Sequence, residues 1–251
     1  MPVHQGDKTV ITVHTDVVGS LLRPDWLLKA RQDVSEKTVS PAVFKSLEDQ
    51  SVDEAIALQE SAGLDVITDG EMRRTSFQSQ MTEAVDGFGN YTLDAFLWGD
   101  WHGNKTVGDR LLDRPANLGA VKKLTRRRFL STEEFVYLRS KTDRIPKISL
   151  PSPSLWANFW SPKHSKEAYP TLDSFLADVT NILCEEVAEL ARLGTTYIQL
   201  DAPHYTAFID SNTRIFYESQ GWSADRFLDA GIELDNAVIG NFPDITFGFH
   251  L

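Results

Sequence analysis

Two carboxylates flank a glycine in Asp69-Gly70-Glu71, and Arg73 and Arg74 follow almost at once. Acids and guanidinium groups this close together can hold a zwitterionic or anionic small molecule by charge-assisted, bidentate hydrogen bonds. They can equally form a surface ion-pair cluster of little energetic weight. Asp201 ends an apolar run and precedes Ala202-Pro203. A carboxylate there can bind a substrate ammonium or act as a base if burial raises its pKa, or it can serve a turn or a helix cap. His204 lies close by, and His250 closes Phe247-Gly248-Phe249. Imidazole is a common zinc ligand, but one histidine makes no site, because zinc takes at least three protein donors. Gly19-Ser20 reads as a turn where a ligand can approach the backbone, without the glycine and lysine spacing of a phosphate loop. Ser152 and Ser154 place two hydroxyls on a proline-stiffened loop, which simple turn chemistry also explains.

These residues share a placement. Helical stretches that close at a glycine are followed by β-rich runs, and the runs end in the chemically capable side chains. Val52, Ala55, Ile56 and Gln59 share a helical face that Gly63 terminates, and Leu64–Glu71 follows. Phe175, Val179, Ile182, Leu183, Val187 and Leu190 repeat the pattern up to Gly194, and Thr195–Leu200 leads to Asp201. A third unit runs from about Ala224 to Gly240 and continues into Ile245–Leu251. Thr9–His14 and Lys147–Leu150 are further strand candidates. Alternation of this kind predicts parallel strands with crossover helices and a site at the C-terminal strand ends.

From about Gly87 to Arg144 the periodicity lapses until Glu133, in a stretch rich in tryptophan, glycine and charge around Trp98–Gly103. It reads as a long excursion within one domain spanning 1–251. The basic run Lys122–Arg128 reads as a solvated helix face or loop, with a local anion site as the alternative. Only about five strands can be counted, short of a closed barrel, so the expectation is a barrel incomplete at its C-terminus.

Composition narrows the classes. The chain has 251 residues, 41% hydrophobic and 24% charged, enough for a substantial core. A net charge of −11, from 36 acids against 25 bases, repels phosphate backbones and argues against nucleic acid. No apolar run approaches the roughly 18 residues of a membrane span, and the N-terminus lacks a secretory core, so a cytoplasmic location is expected. Cys184, the single cysteine, excludes an intrachain disulfide and reads as a small packed residue on a helix.

Taken in order, Asp16–Pro24, Gln59–Arg74, Leu150–Ser154, Ile198–Pro203 and Phe247–His250 resemble the C-terminal catalytic barrel of cobalamin-independent methionine synthase, especially its shorter single-barrel relatives. Gly63-Leu64-Asp65-Val66-Ile67-Thr68-Asp69-Gly70-Glu71 is the most specific match. The resemblance implies an α/β (β/α)8 TIM barrel of the methionine synthase and uroporphyrinogen decarboxylase type. It also implies methyl transfer from a folate-type donor to the thiol of homocysteine. Gly19, Ser20 and Glu71 would bind homocysteine, Asp201 would hold its ammonium, and Ser152 and Ser154 join the candidate substrate-binding set. His250 would be the first zinc ligand, with zinc binding the substrate as thiolate.

The family's remaining zinc ligands would lie beyond Leu251, and Cys184 matches none of them. The resemblance therefore implies a fragment whose full zinc site needs ligands outside this chain. Asp-Ala-Pro stands where the long enzymes have Asp-Glu-Pro, which affects the pocket. Competing expectations are alkyl transfer to coenzyme M, which the Arg73/Arg74 pair could favour through a sulfonate, and a metal-free tetrapyrrole decarboxylase, whose arginine-rich N-terminal pattern is not evident. An inactive, metal-free product is the non-enzymatic alternative. The expected partners are small molecules, a thiol and a methyl donor, with neither nucleic acid nor membrane; the sequence assigns no oligomeric state.

Overall fold

The structure, a computed structural model, describes residues 15–90, 118–219, 222–240 and 242–251. The strand expected at Thr9–His14 and the Trp98–Gly103 stretch lie outside the described residues. The three helix-glycine-strand units are present. Helix α2 (Pro41–Ser61) begins at Ser40, whose hydroxyl accepts the Val43 amide, and Pro41 occupies the first turn, where no amide is needed. Past its end Gly63 takes φ +79°, and strand β1 (Val66–Ile67) follows. Helix α5 (Leu172–Arg192) is entered through a reciprocal cap between Thr171 and Ser174, stops before Gly194 at φ +89°, and leads to β5 (Tyr197–Asp201). Helix α8 (Ala224–Ile239) is capped by Ser223 and leads past Gly240 to β6 (Thr246–His250).

With β4 (Ile145–Pro151), which helix α4 (Thr132–Lys141) precedes, these strands form a parallel sheet in the order β1-β4-β5-β6. The register sets Lys147 beside Tyr197 and Thr246, Ser149 beside Gln199 and Gly248, and Pro151 beside Asp201 and His250. Because side chains alternate along a strand, each of these rows lies on one face. On the opposite face Ile148, Leu150, Ile198 and Leu200 are buried and join a core with Val179, Leu183, Val187 and Leu190 of α5. The apolar face thus meets the helices, and the polar face looks inward to the site.

The excursion contains structure that the periodicity did not show. Strands β2 (Val85–Asn90) and β3 (Leu118–Arg126) pair antiparallel. The basic run Lys122–Arg128 is therefore neither a helix face nor, for most of its length, a loop. Its backbone is held by β2, while Lys123 and Arg126 pair with Asp178 and Glu185 of α5 and Arg127 with Asp86. Helix α1 (Asp25–Ser35) packs on α2, and short helices α3 (Ser79–Ala84), α6 (His204–Ala207) and α7 (Ser211–Ser219) fill the connections. Ser152 and Ser154, expected on a proline-stiffened loop, stand instead at the start of a buried 3-10 helix, Pro153–Phe159. Cys184 lies half-buried on α5 with its thiol 3.4 Å from the Ala237 carbonyl of α8. No helix among the described residues is long and apolar enough to cross a membrane.

One buried acid ties α4 to α5. Glu186 is fully enclosed and accepts the amides of Leu130 (2.6 Å) and Ser131 (2.8 Å) and the Thr132 hydroxyl (3.3 Å), so it caps the α4 N-terminus from a neighbouring helix. Burial raises its pKa, and those two amides oppose the shift. Glu186→Ala is expected to strand both amides and lower the unfolding free energy by about 2–4 kcal/mol, read from urea denaturation. A loss below about 1 kcal/mol would show that water replaces the carboxylate there.

Candidate active site

The turn after β1 is built by side chains of α2 and of the turn itself. Gln59 accepts the Thr68 amide (3.0 Å) and donates to the Thr68 carbonyl (2.8 Å), doing for this residue what a neighbouring strand does elsewhere. The Thr68 hydroxyl accepts the Gly70 amide at 3.1 Å, and Asp69 Oδ1 accepts the Glu71 amide at 2.9 Å. Gly70 (φ +67°) and Glu71 (φ +55°) both adopt the left-handed region, which is costly for a residue with a Cβ. At Gly70 a Cβ would also crowd Ala55 and Leu21 at 3.2 Å. Arg23 donates to the Glu71 carbonyl at 2.9 Å, and Arg31 of α1 to the carbonyls of Met72 and Arg74.

This turn delivers the Glu71 carboxylate, itself buried, into a dense set of donors. Ser20 Oγ donates to Oε2 at 2.5 Å, while Ser149 Oγ (2.7 Å) and Arg74 Nη1 (2.9 Å) donate to Oε1. Arg74 is buried too and spends its other donors on Glu134 (2.7 Å) and the Ser149 carbonyl (3.1 Å). Burial by itself would lower its pKa, but Glu134 and Glu71 outweigh that, and the net shift is upward. Asp69 is pushed up to about 6, first by burial and then by Glu134. Arg73 turns instead to Asp49 of α2 (2.6 Å) and lies over the Tyr137 ring of α4. The arginine pair expected to face a ligand is thus divided between two ion pairs, Arg74 with Glu71 and Glu134 and Arg73 with Asp49 of α2.

Asp201 stands across the polar face. It is buried, and its pKa is raised by burial against the pull of a hydrogen bond from Gln199. Gln199 Nε2 lies 2.6 Å from Asp201 Oδ1, and His250 Nδ1 lies 3.2 Å from the same oxygen. The His250 ring is 43% exposed, so it borders solvent while Asp201 does not. A cleft of about 400 Å³ lined by Ser20, Leu21, Leu22, Arg23 and Leu28 opens beside the Ser20 side of the cluster. A Cβ at Gly19 would meet nothing within 4 Å, so space rather than backbone strain distinguishes that position.

Ser152 and Ser154 are placed differently. Both are fully buried: Ser152 donates to Asp235 of α8 (2.7 Å), and Ser154 Oγ lies 2.7 Å from His204 Nε2. Tyr205 donates to the second Asp235 oxygen at 2.7 Å. This network sits behind the strand ends, joined to the site through the Ser152 amide, which donates to the Asp201 carbonyl at 2.9 Å. Ser20, Glu71, Asp201 and His250 are brought to one face, whereas the two serine hydroxyls point away from it. Sequence reading missed Lys147, Ser149, Gln199, Glu134 and Asp235. The first three carried a signal, since Lys147-Ile148-Ser149-Leu150 and Ile198-Gln199-Leu200-Asp201 alternate polar and apolar residues within buried strands.

Comparisons with known proteins bear on the family and the fold. Residues 13–237 match the family model described as cobalamin-independent synthase, catalytic domain, and the chain belongs to that family. A methionine synthase of Pyrococcus abyssi is 34% identical over 191 residues, covering 75% of this chain and 51% of that protein. The chain thus spans about half the length of such curated relatives. The fold is the α/β, TIM-barrel type of a putative vitamin-B12-independent methionine synthase from Listeria monocytogenes (TM-score 0.68, 18% identity, 94% of this chain and 64% of that one). A B12-independent methionine synthase from Shewanella sp. W3-18-1, solved in complex with selenomethionine, matches with TM-score 0.63 and 20% identity over 85% of this chain and 53% of that one.

His204 makes the network behind the site sensitive to acid. Burial lowers its pKa from 6.5 to about 3, so the folded protein keeps it neutral where the unfolded chain binds a proton. Stability from this group is complete above pH 6.5 and is lost as the pH falls towards 3, by up to about 1.4 kcal/mol per pH unit. Asp69, raised to about 6, contributes in the opposite sense. His204→Gln is expected to remove the first contribution and so to lower the slope of unfolding free energy against pH between 6.5 and 5, by up to about 1.4 kcal/mol per pH unit relative to the parent. Parallel slopes in the two proteins would mean that folded His204 takes up a proton in that range.

Proposed function

We propose that this chain carries the amino-acid-thiol half of an S-methyltransferase that moves a methyl group from a folate-type donor to the thiol of homocysteine. The carrying observation is the pair of buried carboxylates, Glu71 and Asp201, on one polar face with little cationic charge left for the second. Arg74 is engaged by both Glu71 and Glu134, and Lys147 lies 3.1 Å from Asp16. Among the described residues Asp201 has only the half-exposed His250 as an ion-pair partner. A buried carboxylate in that position favours a cationic ligand group, and the α-ammonium of an amino acid meets the requirement. The selenomethionine bound by the Shewanella relative is an amino acid of this kind.

The same balance speaks against a sulfonate thiol such as coenzyme M, which would bring an anion to a site rich in acids while Arg73 faces elsewhere. Ser20 and Gly19 would border the substrate from the cleft side. Ser152 and Ser154 would act behind the site by fixing the Asp201 strand end rather than by touching substrate.

Zinc, implied by the family resemblance, requires at least three protein donors. Among the described residues no group of three or more His, Cys, Asp or Glu side chains is placed to hold a metal. Those residues do not complete a zinc site. Within them the metal assignment reduces to His250 as a single ligand, and the folate donor rests on the resemblance alone.

Calorimetric titration with L-homocysteine tests the reading. Asp201→Asn and Glu71→Gln are each expected to weaken binding about tenfold or more, equivalent to about 1.4 kcal/mol, and 2-mercaptoethanesulfonate should bind more weakly than homocysteine. Tighter binding of the sulfonate, or indifference to both substitutions, would overturn it.

A further inference from the structure

Lys147 is a fully buried lysine on the inward row of β4, a costly place for a charge that does not itself reach the substrate position. Its ammonium donates to the Val17 carbonyl (2.6 Å) and to Gln199 Oε1 (2.8 Å), and it pairs with Asp16 at 3.1 Å. Gln199, also buried, spends its amide nitrogen on two acceptors, the Val18 carbonyl and Asp201 Oδ1, each at 2.6 Å. One side chain thus joins the segment leading into Gly19-Ser20 to the strand-end carboxylate.

The direction of that amide matters. The two ends of a glutamine amide have nearly the same shape, but one end donates and the other only accepts. An ammonium has donors alone, so Lys147 selects the orientation in which Oε1 faces it and the NH₂ group faces Asp201. In the reverse orientation the amide oxygen would confront the Asp201 carboxylate and the Val18 carbonyl, three acceptors with no proton among them. Gln199 and His250 both address Oδ1, which leaves Oδ2 of Asp201 as the oxygen for a ligand.

We propose that Gln199, polarised by buried Lys147 and its partner Asp16, is a positioning residue that aims Asp201 at the substrate ammonium and so sets selectivity for an amino-acid thiol. This inference rests on the reading of Asp201 as the ammonium-binding carboxylate. It assigns to Lys147, Asp16 and Gln199 a role in discrimination rather than in the overall strength of binding. A general loosening of the fold would weaken every ligand alike, whereas loss of aim at Asp201 weakens only ligands that carry the ammonium.

The test compares L-homocysteine with 4-mercaptobutanoate, the same molecule without its amino group, by titration of the full chain and its variants. The parent is expected to prefer homocysteine. Gln199→Met is expected to reduce the ratio of the two dissociation constants about tenfold or more while leaving the affinity for 4-mercaptobutanoate unchanged. The paired variant Asp16→Asn/Lys147→Met, which removes both charges together so that neither is left buried alone, should do the same. Asp201→Asn serves as the reference. If it abolishes the preference while Gln199→Met and the paired variant keep it, the positioning role is wrong and the reading of Asp201 stands. If Asp201→Asn itself leaves the preference intact, or the parent shows none, the reading of the site fails and the inference falls with it. An equal loss of affinity for both ligands in Gln199→Met assigns a purely structural role and also overturns the proposal.

Discussion

The carboxylate of Glu71 receives donors from three separated parts of the chain: Ser20 before the first described helix, Arg74 in the same turn and Ser149 on β4. Its backbone sits in the left-handed region, a conformation that costs a residue with a Cβ about 1–3 kcal/mol. The surrounding bonds offset that cost. Asp69 and Arg23 fix the peptide on either side, and Arg31 holds the following carbonyls. Position and strain come from the same contacts, so the turn, the first strand and α1 depend on one another through this residue.

A second constraint follows from having a polar interior. Burying Lys147, Arg74, Glu71 and Asp201 at one sheet face, with Glu134 of α4 beside Arg74, requires a partner for each ion. Arg74 is shared between two acids, and Lys147 between Asp16, Gln199 and Val17. Asp201, set at the strand end, is paired among the described residues with the half-exposed His250 alone. The apolar stabilisation lies on the other side of the same strands, where Ile148, Leu150, Ile198 and Leu200 meet α5. Period-two alternation therefore separates the chemistry from the core within single strands.

The units bounded by Gly63, Gly194 and Gly240 were legible because amphipathic periodicity and a positive-φ glycine report the same boundary independently. Helix α1 was not legible, since it buries only Leu27 and Ala30 and no glycine marks its end, where Lys37 takes the positive φ. The β2–β3 pair was hidden for a different reason: Val85 finds its partner at Arg126, a pairing that local pattern cannot reveal. Glu71, Asp201 and His250 could be found from their place at strand ends. The direction of Ser152 and Ser154 could not, because Asp235 and His204, which draw their hydroxyls away from the site, come much later in the chain. Lys147, Ser149 and Gln199 carry a readable signal, since polar residues at alternate positions of a buried strand mark a polar lining.

Gln59 supplies both hydrogen bonds to the Thr68 backbone from α2, so the point where the chain leaves the sheet for Glu71 is set by the phase of a helix. Adding or deleting one residue between Ser40 and Gln59 would turn that amide about 100° around the helix axis and shift it about 1.5 Å along it. The segment from α2 to Glu71 is accordingly closed to length variation. Insertions and deletions in this lineage should fall outside it, in the exposed turn before Ser40 or beyond the β2–β3 pair, while the intervening stretch varies only by substitution.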